Sequence, residues 1–305
     1  MRSHVPGPRA RLRAVRADGT PVYRFDGPPG VPPVWVTRFD GAHAEGVLPA
    51  DQRHAHDFHV LVYAEDGGGE VRLDGATEPL RAGELVTVPP GRVIGAGEPQ
   101  PPDSRAWAVS FTPDAVPALA GLPPLAWAGH PLLAAFDGVR RVPAPAERRA
   151  AWVGWLAELR EETAHPDRVG AGDATRALLT RMLVELARAV GQDGETPTTD
   201  PLVRRVLAVV EARFAEPVST ASVARELGYT GGHLTTVMRE RTGRTVLDWL
   251  TERRMAEARR LLAETDLPLA AIAARTGFRD AAYLARRFGA WHGTTPQRWR
   301  RDARA

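Results

Sequence analysis

The strongest constraint on this chain is a repeat in its last third. From Ser219 the sequence spells a short helix, a tight turn and a second helix, and from Ile272 it does so again. In the first copy, Ala221, Val223, Ala224 and Leu227 give a buried side at helical spacing, and Gly228 ends the helix where a left-handed residue lets the chain turn. Thr230 caps the next helix, whose Leu234, Val237 and Met238 face inward. In the second copy, Ile272, Ala273 and Gly277 repeat the small-then-Gly spacing, Asp280 is the cap, and Leu284 and Phe288 repeat the inward pair Leu234 and Met238. The second turn is one residue longer. A small residue near the turn lets two crossing helices approach closely. Between the copies, Thr245 to Thr265 reads as one amphipathic helix opened by a Thr245-x-x-Asp248 cap. About 20 residues at ~1.5 Å rise make a rod of ~30 Å, close to the ~34 Å turn of B-DNA. Two helices held that far apart suit successive major grooves on one face of a duplex.

Charge points the same way. Residues 201–305 hold 19 Arg against 11 Asp and Glu, a balance of +8, which leaves −5 for residues 1–200 and +3 overall. A basic tail on a mildly acidic body suggests a polyanion partner for the tail alone. All 40 basic residues are Arg, a compositional bias from which nothing functional follows. The absence of Cys excludes disulfides, thiolate metal sites and Cys nucleophiles, and it fits a reducing cytoplasm. The start carries Arg2, Arg9, Arg11, Arg13 and Arg16 without an apolar core region, so it does not read as a secretory signal. Pro117, Pro123, Pro124 and Pro131 break the longest uncharged run, Ala115 to Phe136, so no membrane span is expected.

The expected fold class is α+β in two domains. Residues 1–30, rich in Pro, Gly and Arg, read as a loose arm. Residues 31–145 read as a β-barrel: short apolar runs such as Val60-Leu61-Val62-Tyr63, Leu85-Val86-Thr87-Val88 and Trp107-Ala108-Val109-Ser110-Phe111 alternate with turn signals such as Asp74-Gly75 and Pro89-Pro90-Gly91. Residues 112–145 look irregular. Residues 146–190 form a helical segment, Ala146 to Thr163 and Asp173 to Val190, available either for a dimer contact or for packing on the barrel. Residues 191–200 read as a flexible linker, and residues 201–305 as an all-α domain with two helix-turn-helix units.

The stretch from Ser219 to Arg301 resembles the C-terminal domain of the AraC/XylS family of bacterial transcription regulators. The residues that carry this are Ala258-Arg259-Arg260-Leu261-Leu262, Ile272-Ala273, Gly277-Phe278, Phe288 and Gly293-Thr294-Thr295-Pro296. His54-x-His56 and Gly83-Glu84-Leu85-x-x-Val88-Pro89-x-Gly91 resemble the cupin barrel that such regulators carry as a sensor, over about Val47 to Phe111.

The resemblance implies double-stranded promoter or operator DNA as the partner, with RNA polymerase as a further partner of an activator. It also implies a small-molecule effector and a homodimer, in a cytoplasmic, nucleoid-associated protein without catalysis. On the first recognition helix Gly232, His233, Thr235, Thr236 and Arg239 are the candidate DNA contacts, and on the second Ala282, Ala285, Arg286 and Arg287. Arg286 is the leading candidate, because an Arg fork fits the O6 and N7 of guanine; a phosphate contact is its alternative. Gly231-Gly232 and Ala281-Ala282 stand where longer side chains usually reach base edges, so phosphate contacts and DNA shape are expected to carry more of the recognition. In the barrel, His56, Tyr63 and Trp107 are the candidate ligand contacts, each equally readable as ordinary core. Metal-holding cupins add a Glu and a further His. Here those positions fall among Val60, Leu61 and Val62 and near Ile94, so no metal and no cofactor is expected. Two other readings are a cupin enzyme with an appended DNA-binding module, disfavoured by the incomplete ligand set, and an architectural DNA-binding protein. A methyl-accepting repair protein is excluded by the lack of Cys.

Overall fold

The computed structural model describes residues 9–16, 18–27, 30–40, 43–45, 53–67, 69–96, 103–120, 122, 124–127, 130–192, 200–292 and 294–302. Two sheets face each other in the N-terminal part. Their strands are β1 (Arg9–Val15), β2 (Pro21–Asp26), β3 (Val34–Asp40), β4 (His43–Glu45), β5 (His54–His56), β6 (His59–Ala64), β7 (Glu70–Leu73), β8 (Ala76–Pro79), β9 (Glu84–Val88), β10 (Val93–Ala96), β11 (Arg105–Phe111) and β12 (Arg140–Pro143). One sheet runs β1-β2-β5-β10-β7-β8 and the other β12-β9-β6-β11-β3-β4. All neighbours are antiparallel except β2 and β5.

The arm expected to be loose is instead a hairpin over most of its length. Arg9 pairs with Asp26 and Val15 with Pro21, around a turn in which Asp18 accepts hydrogen bonds from the amide and hydroxyl of Thr20. Backbone pairing overrides a composition that reads as coil. Residues 112–145 hold short helices, α1 (Pro117–Ala120) and α2 (Pro124–Trp127), before β12, which pairs with β9.

The second sheet is covered on both faces, and this sorts its side chains by parity. Trp35, Val60, Val62 and Ala108 face the barrel interior. Val34, Leu61, Tyr63, Trp107, Val109 and Phe111 face outward, onto helices α3 (Arg149–Ala164) and α4 (Ala171–Gln192). Trp152, Leu156, Leu159, Leu179, Met182, Leu183 and Leu186 of these helices are buried against the sheet and each other. The apolar stripes open to either a dimer or the barrel therefore pack on the barrel. Most of the expected linker, residues 193–199, lies outside the described residues.

The C-terminal domain holds α5 (Pro201–Arg213), α6 (Thr220–Leu227), α7 (Gly231–Thr242), α8 (Val246–Glu264), α9 (Leu269–Arg275), α10 (Ala281–His292) and α11 (Pro296–Asp302). Helix α5 starts at an Asp200 cap with Pro at its first position and buries Val203, Val206, Leu207, Val209 and Val210. Ser219 and Thr245 form capping boxes with Ser222 and Asp248. Gly228, Gly243 and Gly277 all adopt the left-handed conformation that ends these helices. No helix among the described residues is long and apolar enough to cross a membrane.

Candidate DNA-contact helices and ligand cavity

Helices α7 and α10 are offset by 50 residues and present the same pattern of exposure over their first eight residues. Leu234 and Met238 anchor α7, and Leu284 and Phe288 anchor α10. The first turn of each is held by its cap: Thr230 Oγ1 accepts from the His233 amide at 3.3 Å, and Asp280 Oδ1 accepts from the Tyr283 amide at 2.6 Å. That bond, and the neighbouring Arg279, hold the Asp280 carboxyl below its usual range. Of the residues singled out from sequence, Gly232, His233, Thr236, Arg239, Ala282 and Arg286 are exposed. Thr235, Ala285 and Arg287 are half-buried. The Thr235 hydroxyl donates to the Gly231 carbonyl at 2.8 Å, and the Arg287 guanidinium lies 5.9 Å from the Trp291 ring, so both lean back onto their own helix.

Two exposed aromatic residues were not among those candidates. Tyr283 occupies on α10 the place of His233 on α7, with the Arg279 guanidinium 5.5 Å from its ring. Tyr229 stacks on His233 with centroids 5.4 Å apart. The 50-residue offset from His233 is the signal that would have picked out Tyr283.

The barrel holds a cavity of about 120 Å³, open to solvent on one side, bounded by Trp35, Val60, Val62, Val71, Leu80 and Ile94 among others. His54 also lines it; His56, Tyr63 and Trp107 do not. Tyr63 stacks on Trp152 at 6.1 Å, and Trp107 Nε1 donates to Glu65 at 2.9 Å, both on the outer face of the sheet. Strand parity separates them from the interior. The His56 ring is fully buried, with Nδ1 donating to the Phe58 carbonyl at 2.6 Å and no partner at Nε2. Burial, reinforced by His54, pushes its pKa down to about 3, so it is neutral. Among the described residues no three His, Cys, Asp or Glu side chains gather as a metal site would need.

The two domains meet over a joint of charge and bare backbone. Arg244, beside the start of α8, is buried and its Nη2 donates to the Asp57 carbonyl at 3.0 Å. Its guanidinium stands 3.3 Å from Glu252 and 3.8 Å from the Asp57 carboxylate. Burial alone would favour the neutral form, but Asp57 and Glu252 outweigh it and raise the pKa. Arg13 of the hairpin pairs with Asp57 at 2.9 Å and also with Asp248. Gly91 and Gly243 lie backbone to backbone: a Cβ on Gly91 would fall 2.3 Å from the Gly243 nitrogen. The C-terminal end of α7 is thus seated on the barrel while its first turns are exposed.

A model of the AraC-like ligand-binding domain matches residues 39–135, and a helix-turn-helix domain model matches residues 223–302. The chain belongs to the AraC family. It is a DNA-binding transcriptional regulator whose N-terminal domain is of the effector-binding kind. Among its relatives, the regulator is 27% identical over 249 residues to the arabinose operon regulatory protein of Salmonella typhimurium, covering 79% of this chain and 83% of that one. It is 34% identical over 104 residues to the HTH-type transcriptional regulator GlxA of Rhizobium meliloti, covering 34% and 32%. It is 27% identical over 153 residues to the HTH-type transcriptional activator RhaR of Klebsiella pneumoniae, covering 49% and 54%.

Proposed function

We propose that the regulator binds a two-part promoter site through the exposed first turns of α7 and α10, and that an effector in the barrel cavity changes how these helices are presented. The observation that carries this reading is the matched pair of recognition helices, capped and exposed alike, at the two ends of a 19-residue helix α8. Arg286 leads base readout, with His233, Thr236 and Tyr283 in support. Arg239 and Arg279 serve the phosphates. Because Gly232 and Ala282 offer no hydrogen bonds to base edges, shape carries a large share of the specificity.

The route between the sites is short. Trp35 lines the cavity and meets Phe58 with centroids 4.8 Å apart. Phe58 follows Asp57, the residue that receives Arg244. A ligand pressing on Trp35 acts on the wall from which the first helix-turn-helix unit hangs, and differential binding to two docking states then shifts their populations. The relative named as an activator makes activation through RNA polymerase the favoured outcome. The exposed sides of α3 and α4 are left for a homodimer in the cytoplasm.

Selection of bound fragments from a random DNA pool tests this. The expected result is a recurrent site with two short conserved blocks about one helical turn apart. Recovery of fragments with no recurrent site overturns sequence-specific regulation in favour of an architectural role.

A further inference from the structure

We propose that the barrel cavity takes a compact, uncharged, mainly apolar molecule, such as a single aromatic ring carrying one hydroxyl or N–H group, and neither a sugar nor a carboxylate. This rests on the reading of that cavity as the effector site.

Size is the first constraint. At about 120 Å³ the space is close to the roughly 150 Å³ cavity that accepts benzene in another protein. One ring or a short branched chain fills it. A pentose would also fit by volume, so chemistry has to decide.

The walls are made by strand parity. Trp35 on β3, Val60 and Val62 on β6, Val71 on β7 and Ile94 on β10 present apolar surface from both sheets, and Leu80 adds to it. Among the described residues the uncharged polar side chains facing the space are few and dispersed: Thr37, Ser104, Ser110 and the ring of His54. A ring-form pentose carries four hydroxyls on different faces. Each one buried against Val, Leu or Ile without a partner loses its hydrogen bonds to water and weakens binding. These side chains, beside an Arg105 already engaged with Asp66, cannot meet hydroxyls that point toward the aliphatic walls, whereas they suffice for one hydroxyl or N–H on an otherwise apolar ring.

Charge is the second constraint. Among the described residues the lining holds one arginine, Arg105, and two carboxylates, Asp66 and Glu70. Arg105 is already paired with Asp66 and, at 3.3 Å, with Glu65. A ligand carboxylate would face a neutralised arginine with acidic neighbours, and nothing in the lining repays its desolvation.

The test is thermal unfolding of the full chain with phenol, indole, benzoate and L-arabinose, repeated on Ala108→Phe. Ala108 lies on the cavity wall, so the larger side chain occupies the space. The milder Ala108→Val narrows it and serves where the Phe variant does not fold. Phenol or indole is expected to raise the midpoint by roughly 3 °C at about ten times its Kd. That rise should disappear in Ala108→Phe and shrink in Ala108→Val, and benzoate and arabinose should leave the midpoint in place. A larger rise with arabinose or benzoate than with the neutral rings overturns the proposal. So does a phenol effect that survives in both variants, or no effect from either neutral ring. Retention of the selected DNA site is measured alongside. A neutral ring that binds the cavity without changing DNA retention supports the ligand class and removes the cavity's role as effector site, so the two failures are told apart.

Discussion

The two helix-turn-helix units are built from one pattern and held in two different ways. In the first, Val223, Ala224, Leu234 and Met238 belong to an apolar core that continues through α5 and α2 into the outer face of the sensor sheet. In the second, Ile272, Ala273, Leu284 and Phe288 form a core of their own with Met255, Leu261 and Leu262. The second unit meets the sensor across a polar gap of about 180 Å³, where Arg24 donates to the Ala290 carbonyl at 3.1 Å. Identical local sequence rules thus yield one unit that shares the sensor's interior and one that stands beside it. Under the proposed function both units read DNA, and the first is the one whose packing a ligand in the sensor would disturb.

The largest expected effect that separates them is at the joint. Arg244→Ala removes the buried guanidinium that Asp57 and Glu252 share and leaves Asp57 to Arg13 and Glu252 to Arg259, at a cost of about 3 kcal/mol. Arg259→Ala, which loses only two long pairs, with Asp114 and with Glu252 at 3.8 Å each, should cost well under half of that. Urea unfolding of both variants checks this, and equal losses would erase the proposed asymmetry. Acid should act on the same side. The folded pKa of His56 is depressed to about 3 from an ordinary value of 6.5, so its stabilising contribution is complete above about pH 6.5. Below that the unfolded chain takes up the proton first, and stability falls by about 1.4 kcal/mol per pH unit until about pH 3. Unfolding free energies between pH 7 and 5 should fall at least this steeply, because burial depresses His59 to about 3 and lowers His292 as well, and His56→Gln should remove only its own share of the slope.

On DNA, Arg286→Ala should cost about 1–3 kcal/mol at the selected site and relax the preference at one base pair. Its counterpart in the first unit, Thr236→Ala, should cost less than about 1 kcal/mol. Titrations at two salt concentrations separate base reading from a phosphate contact, which would weaken all sequences alike. The turns give the smallest contrast. Gly228 and Gly277 both have positive φ, but a Cβ on Gly228 meets nothing within 4 Å, whereas one on Gly277 falls 2.8 Å from the carbonyl oxygens of Phe214 and Ala215. Gly228→Ala should cost about 1 kcal/mol, the conformational penalty alone, and Gly277→Ala more. Thermal midpoints decide between them.

The helix-turn-helix domain was legible because its signals are local: caps, turn glycines and apolar spacing lie within a few residues of the structure they produce. The barrel was legible as a set of strands, but not the parity of its side chains. In β6 and β11 both faces are covered, so the runs Val60–Ala64 and Ala106–Phe111 are apolar but for Ser110 and give little clue to which residues face inside. Tyr63 and Trp107 were singled out as cavity residues for that reason, and the interior belongs to Val60, Val62 and Ala108. The hairpin over 9–26 and the strand Arg140–Pro143 escaped notice because pairing, not composition, makes them strands. Arg244 and Asp57 are 187 residues apart, and no local pattern links them.

The backbone contact between Gly91 and Gly243 bears on modularity. Sensor and DNA-binding domains of this architecture invite exchange between proteins, yet this seam admits no side chain on either partner. A chimaera that joins this sensor to another reading head inherits a steric password: it docks as here where the residue closing the first recognition helix is glycine, and sits displaced where it is anything larger.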